Sequence, residues 1–292
     1  MLRFMRSAVA AMVAAALALS ISGVAVHALG ANGWDLALLA RALFGLPFAL
    51  VAWLSAERGR QSWTDPLVIV QSLSSVALLA LLYFALQVET PGDTFTLASM
   101  KPLWVAGLGM CFGLTRVRWI FWPTAAVAVI GVALMDGARL DLGAGFLLLA
   151  LGIGLLGGVS TFAVDFCKRH SAQFLTLHLT VVMLVVAVFA VVVNGHVTLA
   201  IHSMGVPKDF FLYGLAGLMG TLYQLCKVRA VKAVGANVAS VIALLTTIFA
   251  YTLGHLVWHE LPTVFGGIGI ALASIPCLLM LSGDGLSRPV KR

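Results

Sequence analysis

The chain has 292 residues, of which 61% are hydrophobic and only 10% charged. A soluble domain carries about 25% charged residues, so this composition excludes an ordinary water-facing surface and points to a lipid bilayer. The formal net charge of +7 does not call for nucleic acid, because most of the cations fall at the chain ends and in the short connections between apolar runs.

The chain opens on "MLRFMRSAVAAMVAAALALSISGVAVHA". A basic start and an apolar core suit a secretory signal, whose core spans about 7–15 residues. The run from Ser7 to Leu29 is longer and more spans follow, so it reads as a retained first span. Nine further apolar segments follow in order: Leu36–Leu54, Pro66–Val88, Thr94–Leu114, Trp119–Met135, Leu142–Val164, Phe174–Val193, Phe210–Cys226, Gly235–Trp258 and Thr263–Leu281. A membrane-spanning helix needs about 20 apolar residues, whereas barrel strands are about ten residues of alternating polarity. The fold expected is therefore an all-α integral membrane protein of ten transmembrane helices. The longest connection, "NGHVTLAIHSMGVPKD", separates the seventh and eighth segments. Cys111, Cys167, Cys226 and Cys277 are widely spaced and read as small packing residues.

Orientation follows from the basic residues. With the N-terminus in the cytoplasm, the cytoplasmic side holds Arg3, Arg6, Arg58, Arg60, Arg116, Arg118, Lys168, Arg169, Lys227, Arg229, Lys232, Arg288, Lys291 and Arg292, fourteen of the 18 Lys and Arg. Arg41 and Lys101 fall within spans, and most acids fall outside. Both termini are thus expected in the cytoplasm of a multi-pass protein of a bacterial-type inner membrane.

A short repeat is visible. "LYFALQVETPGDTFTLAS" (Leu82–Ser99) and "LYQLCKVRAVKAVGANVAS" (Leu222–Ser240) share Leu-Tyr, a Val five residues after the Tyr, and a closing Ala-Ser. They lie five spans apart. Five is odd, so the second copy must be inverted in the membrane, a recurrent design of secondary transporters. The domains read as 1–138, a first five-span repeat, 139–283, a second, and a basic cytoplasmic tail over 284–292.

The stretch "AVKAVGANVASVIALLTTIFAYTLGHLVWHELPTVFGGIGIALASI" (Ala230–Ile275) resembles the drug/metabolite transporter superfamily, specifically its EamA-like ten-helix group. Glu260 matches the family's acidic position, and Gly266, Gly267 and Gly269 match its glycine-rich last helix. "SMKPLWVAGLG" looks like its Pro-containing fourth helix. The chain departs from the pattern at Thr246 and Thr247, where a proline is common, and at "LTRVRW", where an acid is often found. The resemblance implies export of small metabolites or toxic compounds with proton or exchange coupling.

Polar groups inside a bilayer are expensive and favour protein-lined or wet cavities. Lys101, seven residues into the fourth span, is expected about 10 Å from the outer surface, short of the midplane at about 15 Å. It lines a cavity, snorkels, or makes an ion pair. Pro102 bends the helix and frees the Ala98 carbonyl. Arg41 reads as the partner of Asp35 or of an outer carboxylate. Tyr83, Trp104, Tyr223, Gln224, Asn237, Thr246 and Tyr251 join Lys101 as candidate substrate-binding residues, each with helix-to-helix hydrogen bonding or packing as its alternative. His178 is the proton-coupling candidate, with a buried hydrogen-bonded histidine as the alternative. "HLVWHE" places His255 and His259 at i and i+4 beside Glu260, but not in the metalloprotease order, and reads as an interfacial polar cap. No metal, cofactor or catalytic residue is expected. Glycines at "GIGLLGG" and at Gly214, Gly217 and Gly220 allow close helix approach.

The function expected is a secondary transporter and exporter of a small polar or amphiphilic metabolite or drug, with an amino-acid-like substrate favoured. The partners expected are that small molecule, protons or a counter-substrate, the bilayer, and at most a second copy of the chain. A membrane-embedded enzyme and an accessory membrane protein without transport activity are the alternatives. The chain has no phosphate-binding loop of the ATPase type.

Overall fold

The computed structural model describes residues 2–30, 33–56, 61–98, 101–112, 115–117, 122–123, 126–127, 130, 144–258, 264, 268, 271–272 and 287–289. The fifth and tenth expected spans, with His259, Glu260, Gly266, Gly267 and Gly269, lie largely or wholly outside them.

The described helices are α1 (Leu2–Ala28), α2 (Trp34–Leu54), α3 (Pro66–Val88), α4 (Pro91–Leu97), α5 (Lys101–Cys111), α6 (Ala144–Phe166), α7 (Ala172–Val193), α8 (Val197–Gly205), α9 (Pro207–Val234), α10 (Ala236–Ile242) and α11 (Leu245–Trp258). Two three-residue strands, β1 (Thr115–Val117) and β2 (Ser287–Pro289), pair antiparallel with Arg116 opposite Arg288. Five stretches are long and apolar enough to cross a membrane: Ser7–Ala28, Trp34–Leu54, Pro66–Val88, Ala172–Val193 and Ala236–Trp258. Large apolar side chains such as Phe48, Val88, Val185 and Phe189 face outward, as a lipid-facing belt requires.

Helix starts follow ordinary capping chemistry. Pro66 and Pro207 open α3 and α9, where a missing N–H costs nothing. Asp65 caps α3 by accepting from the Leu67 amide at 2.9 Å and from His170 Nε2 at 3.0 Å. The His170 bond, followed by the Leu67 amide, holds the Asp65 carboxyl below the usual 3.8. Gly235, with φ of 85°, makes the left-handed turn between α9 and α10 that a side chain resists.

α1 lies inside the bundle. It packs along α9 and α11, while α2 packs on α7 and α9, α3 on α6 and α7, and α5 on α6. The first span is thus built into the core.

Two of the expected spans are interrupted. Thr94–Leu114 was expected as one bent helix; its described residues fall in α4, which ends at Leu97 with Ala98 in a 3₁₀ turn, and in α5, which begins at Lys101. Proline cannot sit in a helix interior without clashing with the carbonyl four residues back, and Pro102 occupies the first turn of α5, where that conflict vanishes. The ninth span is divided into α10 and α11 by a turn at Ala243 and Leu244. There the amides of Leu244, Thr246 and Thr247 bond three residues back, to Val241, Ala243 and Leu244, in the tighter 3₁₀ pattern. The two interrupted spans lie side by side, α4 on α11 and α5 on α10.

The buried apolar residues form two main clusters. One gathers Leu38, Val76, Leu79, Tyr83, Phe95, Ile153, Leu179 and Met183. The other gathers Met12, Ala15, Val68, Val105, Val164, Phe174, Tyr223, Val228 and Ile242. α1, α3, α6 and α9 contribute to both, and between their two contributions they carry polar groups: Ser20 and Ser22 on α1, Ser72 and Ser75 on α3, Ser160 and Thr161 on α6, Thr221 on α9. A polar layer therefore crosses the bundle at mid-height.

Close approach of α2 to α9 depends on glycine. A Cβ at Gly217 would lie 2.6 Å from Phe44 Cβ and 3.3 Å from the Gly45 backbone nitrogen. Gly217→Ala is expected to destabilise the protein by about 1–3 kcal/mol through overpacking. Gly214→Ala, whose methyl meets only the Phe44 ring at 3.8 Å, is expected to leave stability unchanged. Thermal unfolding of the purified protein followed by tryptophan fluorescence checks both.

Candidate functional site in the polar layer

Arg41 is 2% exposed in the middle of α2. Its Nη1 donates to Tyr83 Oη at 2.8 Å and its Nη2 to the Gly220 carbonyl at 3.0 Å. The guanidinium carbon stands 6.0 Å from the ring centres of both Tyr83 and Tyr223. These are the two tyrosines of the sequence repeat, so one arginine joins the equivalent positions of both halves. The fork fits because α9 has glycine at 220: a Cβ there would lie 2.6 Å from the Arg41 Cζ. The expected pairing with Asp35 is corrected. Asp35 is fully buried and accepts from His196 Nδ1 at 2.8 Å and Asn194 Nδ2 at 3.0 Å.

Two cavities of about 40 Å³ adjoin in this layer and share Leu19, Phe95, Ala98, Lys101 and Tyr223. The first adds Ser75, Gly157, Gln224 and Lys227, and the second adds Ser240, Thr246 and Thr247. Each holds a few waters at most, since a water needs about 10–15 Å³ by this measure. Neither holds a metabolite as it stands. A larger cavity of about 530 Å³ opens at the end of the bundle where α1 begins. Ser7, Lys168, His170, Arg229 and Lys232 line it.

Lys101 is only 8% exposed and its stem lies against Gly157, where a Cβ would be 3.3 Å from Lys101 Cδ. Its cavity neighbours Ser75, Leu19 and Tyr223 are all mid-helix residues, so Lys101 stands at mid-height, deeper than its sequence position implied. Among the described residues no hydrogen bond or ion pair reaches its ammonium. Lys227, 1% exposed, lines the same cavity. Its Nζ donates to Ser160 Oγ at 3.2 Å and sits 5.8 Å from the Tyr223 ring centre. Lys227 was expected among the cytoplasmic cations; it is buried instead. The helical period exposes it: Gly220, Tyr223, Gln224 and Lys227 recur at i, i+3, i+4 and i+7 on one face, whereas Arg229 turns away.

The candidates divide. Lys101, Tyr223, Gln224 and Thr246 meet around the two cavities, and Tyr83 is one bond away through Arg41. Gln224 Nε2 is buried without a partner. Trp104 packs its Cβ against Gly158, Tyr251 lies against Gly92, and Asn237 lines a separate cavity near Asp165 and Lys232. None of these three lines the central cavities.

Hydroxyls close the helix breaks. Ser20 Oγ donates to the Thr246 carbonyl at 2.8 Å, and Thr247 Oγ1 donates to the Phe95 carbonyl at 3.1 Å.

His178 stands off the cavities, 4% exposed, with Nδ1 2.7 Å from Ser72 Oγ and Nε2 3.2 Å from the Trp63 carbonyl. A chain of side chains nevertheless joins it to Lys227. Ser72 donates to Gln71 Oε1, Gln71 Nε2 donates to Ser75, and Ser75 and Ser160 share a 2.6 Å bond. Lys227 then completes the chain through Ser160.

Residues 144–282 match the EamA-like transporter family. That stretch is similar to the EamA-like transporter family, and it covers a little under half of the chain. A solved crystal structure, titled only as that of a protein, superposes with a TM-score of 0.73 at 15% identity, covering 94% of this chain and 98% of that one. At this identity the likeness is one of fold, and it extends across both halves. Comparison with curated proteins finds no match. The described residues thus form a helical bundle with five stretches long and apolar enough to cross a membrane, and its second half is similar to the transporter family that Ala230–Ile275 resembles.

Arg41→Lys, which keeps the charge but not the planar fork, is expected to lower stability by about 1–3 kcal/mol. Gly220→Ala is expected to do the same by displacing the guanidinium. Because both break one contact, the double variant is expected to be little worse than the worse single one. A double-mutant cycle on unfolding midpoints checks this.

Proposed function

We propose that this EamA-like protein is a secondary transporter of ten spans, arranged as inverted five-span repeats over 1–138 and 139–283, which moves a small metabolite by alternating access. The single observation that carries this reading is the pair of interrupted helices. α4/α5 and α10/α11 are the fourth and ninth spans, five apart, lie side by side, and break at a polar cavity halfway through the bundle. Discontinuous helices meeting at mid-membrane are the usual site-builders of inverted-repeat transporters.

The working residues in this reading are Lys101, Tyr223, Gln224 and Lys227, with Arg41, Tyr83 and Tyr223 as the joint between the halves. The two central cavities are too small for substrate, so helices must part for it to enter. The turns at Ala98 and at Ala243–Leu244 are the natural hinges. Basic side chains Lys168, Arg229 and Lys232 gather at the end of the bundle where α1 begins, which fits a cytoplasmic N-terminus by the positive-inside rule. Transport runs outward from that basic end, through an inner membrane, in this reading.

His178 is a coupling candidate that acts at a distance. When neutral, it accepts from the Ser72 hydroxyl at Nδ1 and donates from Nε2 to Trp63. When protonated, it donates at both nitrogens, and the Ser72 hydroxyl turns to Gln71. The amide of Gln71 blocks simple proton hopping, so what passes along the chain to Lys227 is hydrogen-bond orientation.

Counterflow in liposomes with amino acids, nucleosides, organic acids and cationic drugs tests the reading. Exchange of at least one class is expected. Lys101→Ala is expected to reduce it about tenfold or more, and Lys101→Arg to retain part of it. Folded protein that exchanges none of the four classes would contradict transport, and wild-type rates in both variants would remove Lys101 from the site.

A further inference from the structure

The first central cavity carries two lysines, and neither central cavity has an acid among its described lining residues. Lys101 and Lys227 are both more than nine-tenths buried, and Lys227 also lies within electrostatic reach of both Lys101 and Arg41. Of the acids with described side chains, Glu89 and Asp209 line neither central cavity, and three others have partners elsewhere. Asp35 bonds His196 and Asn194, Asp65 bonds His170, and Asp165 faces Lys168 at 3.8 Å. Ser160 supplies Lys227 with one neutral acceptor. Lys101 has none among the described residues.

Buried cations demand a counter-charge or acceptors, since an ammonium left bare in an apolar interior is among the costliest groups in a protein. Gln224 adds a second kind of vacancy. Its Nε2 is a buried donor without an acceptor, and it lines the same cavity as both ammonium groups. Three donor-bearing side chains from two spans thus line one space, and no described acid lines it with them.

We infer that the transported substrate is a small organic anion, held through carboxylate or phosphate oxygens by Lys101, Lys227 and Gln224. This rests on the transporter reading and narrows it, displacing cationic drugs from the candidate substrates. An amino-acid-like substrate remains compatible only through its carboxylate. The wider cavity at the end of the bundle where α1 begins fits the same charge. Lys168, His170, Arg229 and Lys232 line it with no acid among them, and such a cleft concentrates anions at its mouth. Lys232 there donates to the His170 carbonyl, which leaves Arg229 as the cation best placed to meet an incoming anion.

The test uses the full-length protein in detergent and in liposomes, with four probes: succinate for the carboxylate arm, glycerol 3-phosphate for the phosphate arm, uridine as a neutral control and choline as a cation. At least one anion is expected to raise the unfolding midpoint of the wild type and to exchange in counterflow. Its apparent Kd is expected to weaken about tenfold or more in Lys101→Gln and in Lys227→Gln, the usual cost of losing one charged hydrogen bond. Lys101→Arg is expected to stay within about threefold. Size exclusion and the ligand-free midpoint establish that each variant is folded. If a glutamine variant aggregates, Gln224→Leu, which leaves both ammonium groups in place, is expected to weaken the same anion.

Exchange of choline or uridine without either anion would overturn the inference while leaving transport intact. Lysine-dependent anion binding with no exchange of any probe would uphold the anion site at Lys101, Lys227 and Gln224 but remove the transporter reading, and with it the claim that the anion is transported. Absence of any anion effect on stability or exchange would overturn the inference.

Discussion

Positive charge inside an apolar bundle is the constraint around which this structure is built. Each Arg or Lys at the centre of a spanning helix costs about 2.5–3.5 kcal/mol on insertion scales, and three of them meet here: Arg41, Lys101 and Lys227. Arg41 is accommodated by protein alone. The Tyr83 hydroxyl and the Gly220 carbonyl accept from it, and two tyrosine rings flank it. Everything nearby follows from that placement. Gly217 and Gly220 must stay small so that α2 and α9 can close, and the serines of α1, α3 and α6 form a polar layer between two apolar clusters. Lys227 is held in part by Ser160, and Lys101 has no partner among the described residues. That buried cation is the observation that points most directly to a binding function.

The same layer explains how the bundle can move. Two spans turn in it, and hydroxyls from elsewhere bond backbone carbonyls beside those turns. Thr247 donates to Phe95 and Ser20 to Thr246. These bonds are few and easily exchanged for bonds to water or substrate, unlike the continuous ladder of an intact helix. The apolar clusters on either side have no such freedom. Hinges at the polar layer and rigid packing above and below it are the mechanical arrangement that alternating access asks for.

Much of this was legible in the sequence, because bilayer physics writes itself in long apolar runs and in the placement of charge. The spans of α1, α2, α3 and α7 and the close glycine contacts of α9 could be read directly. Lys101 stood out as a cation in an apolar run. Lys227 did not, because it lies in "KVRAVK", where a basic cluster looks interfacial; only its helical phase with Tyr223 and Gln224 separates it from Arg229. Arg41 was given the wrong partner because Asp35 is near in sequence, whereas its true partners come from α3 and α9. The break between α4 and α5 was read as a bend, since a proline in an apolar run looks the same in either case. Trp104, Asn237 and Tyr251 were chosen for their chemistry, and only the fold shows that they stand away from the central cavities.

Accessibility of position 227 tests the central claim, that the polar layer opens in turn to each side of the membrane. In a background with the native cysteines replaced, Lys227→Cys would be treated with a membrane-impermeant thiol reagent from either side of oriented vesicles. Labelling from both sides, slowed when substrate is present, is the result expected of a site that opens alternately. A thiol inert from both sides, in protein that is folded and active, would show that Lys227 belongs to a closed core and would contradict the account.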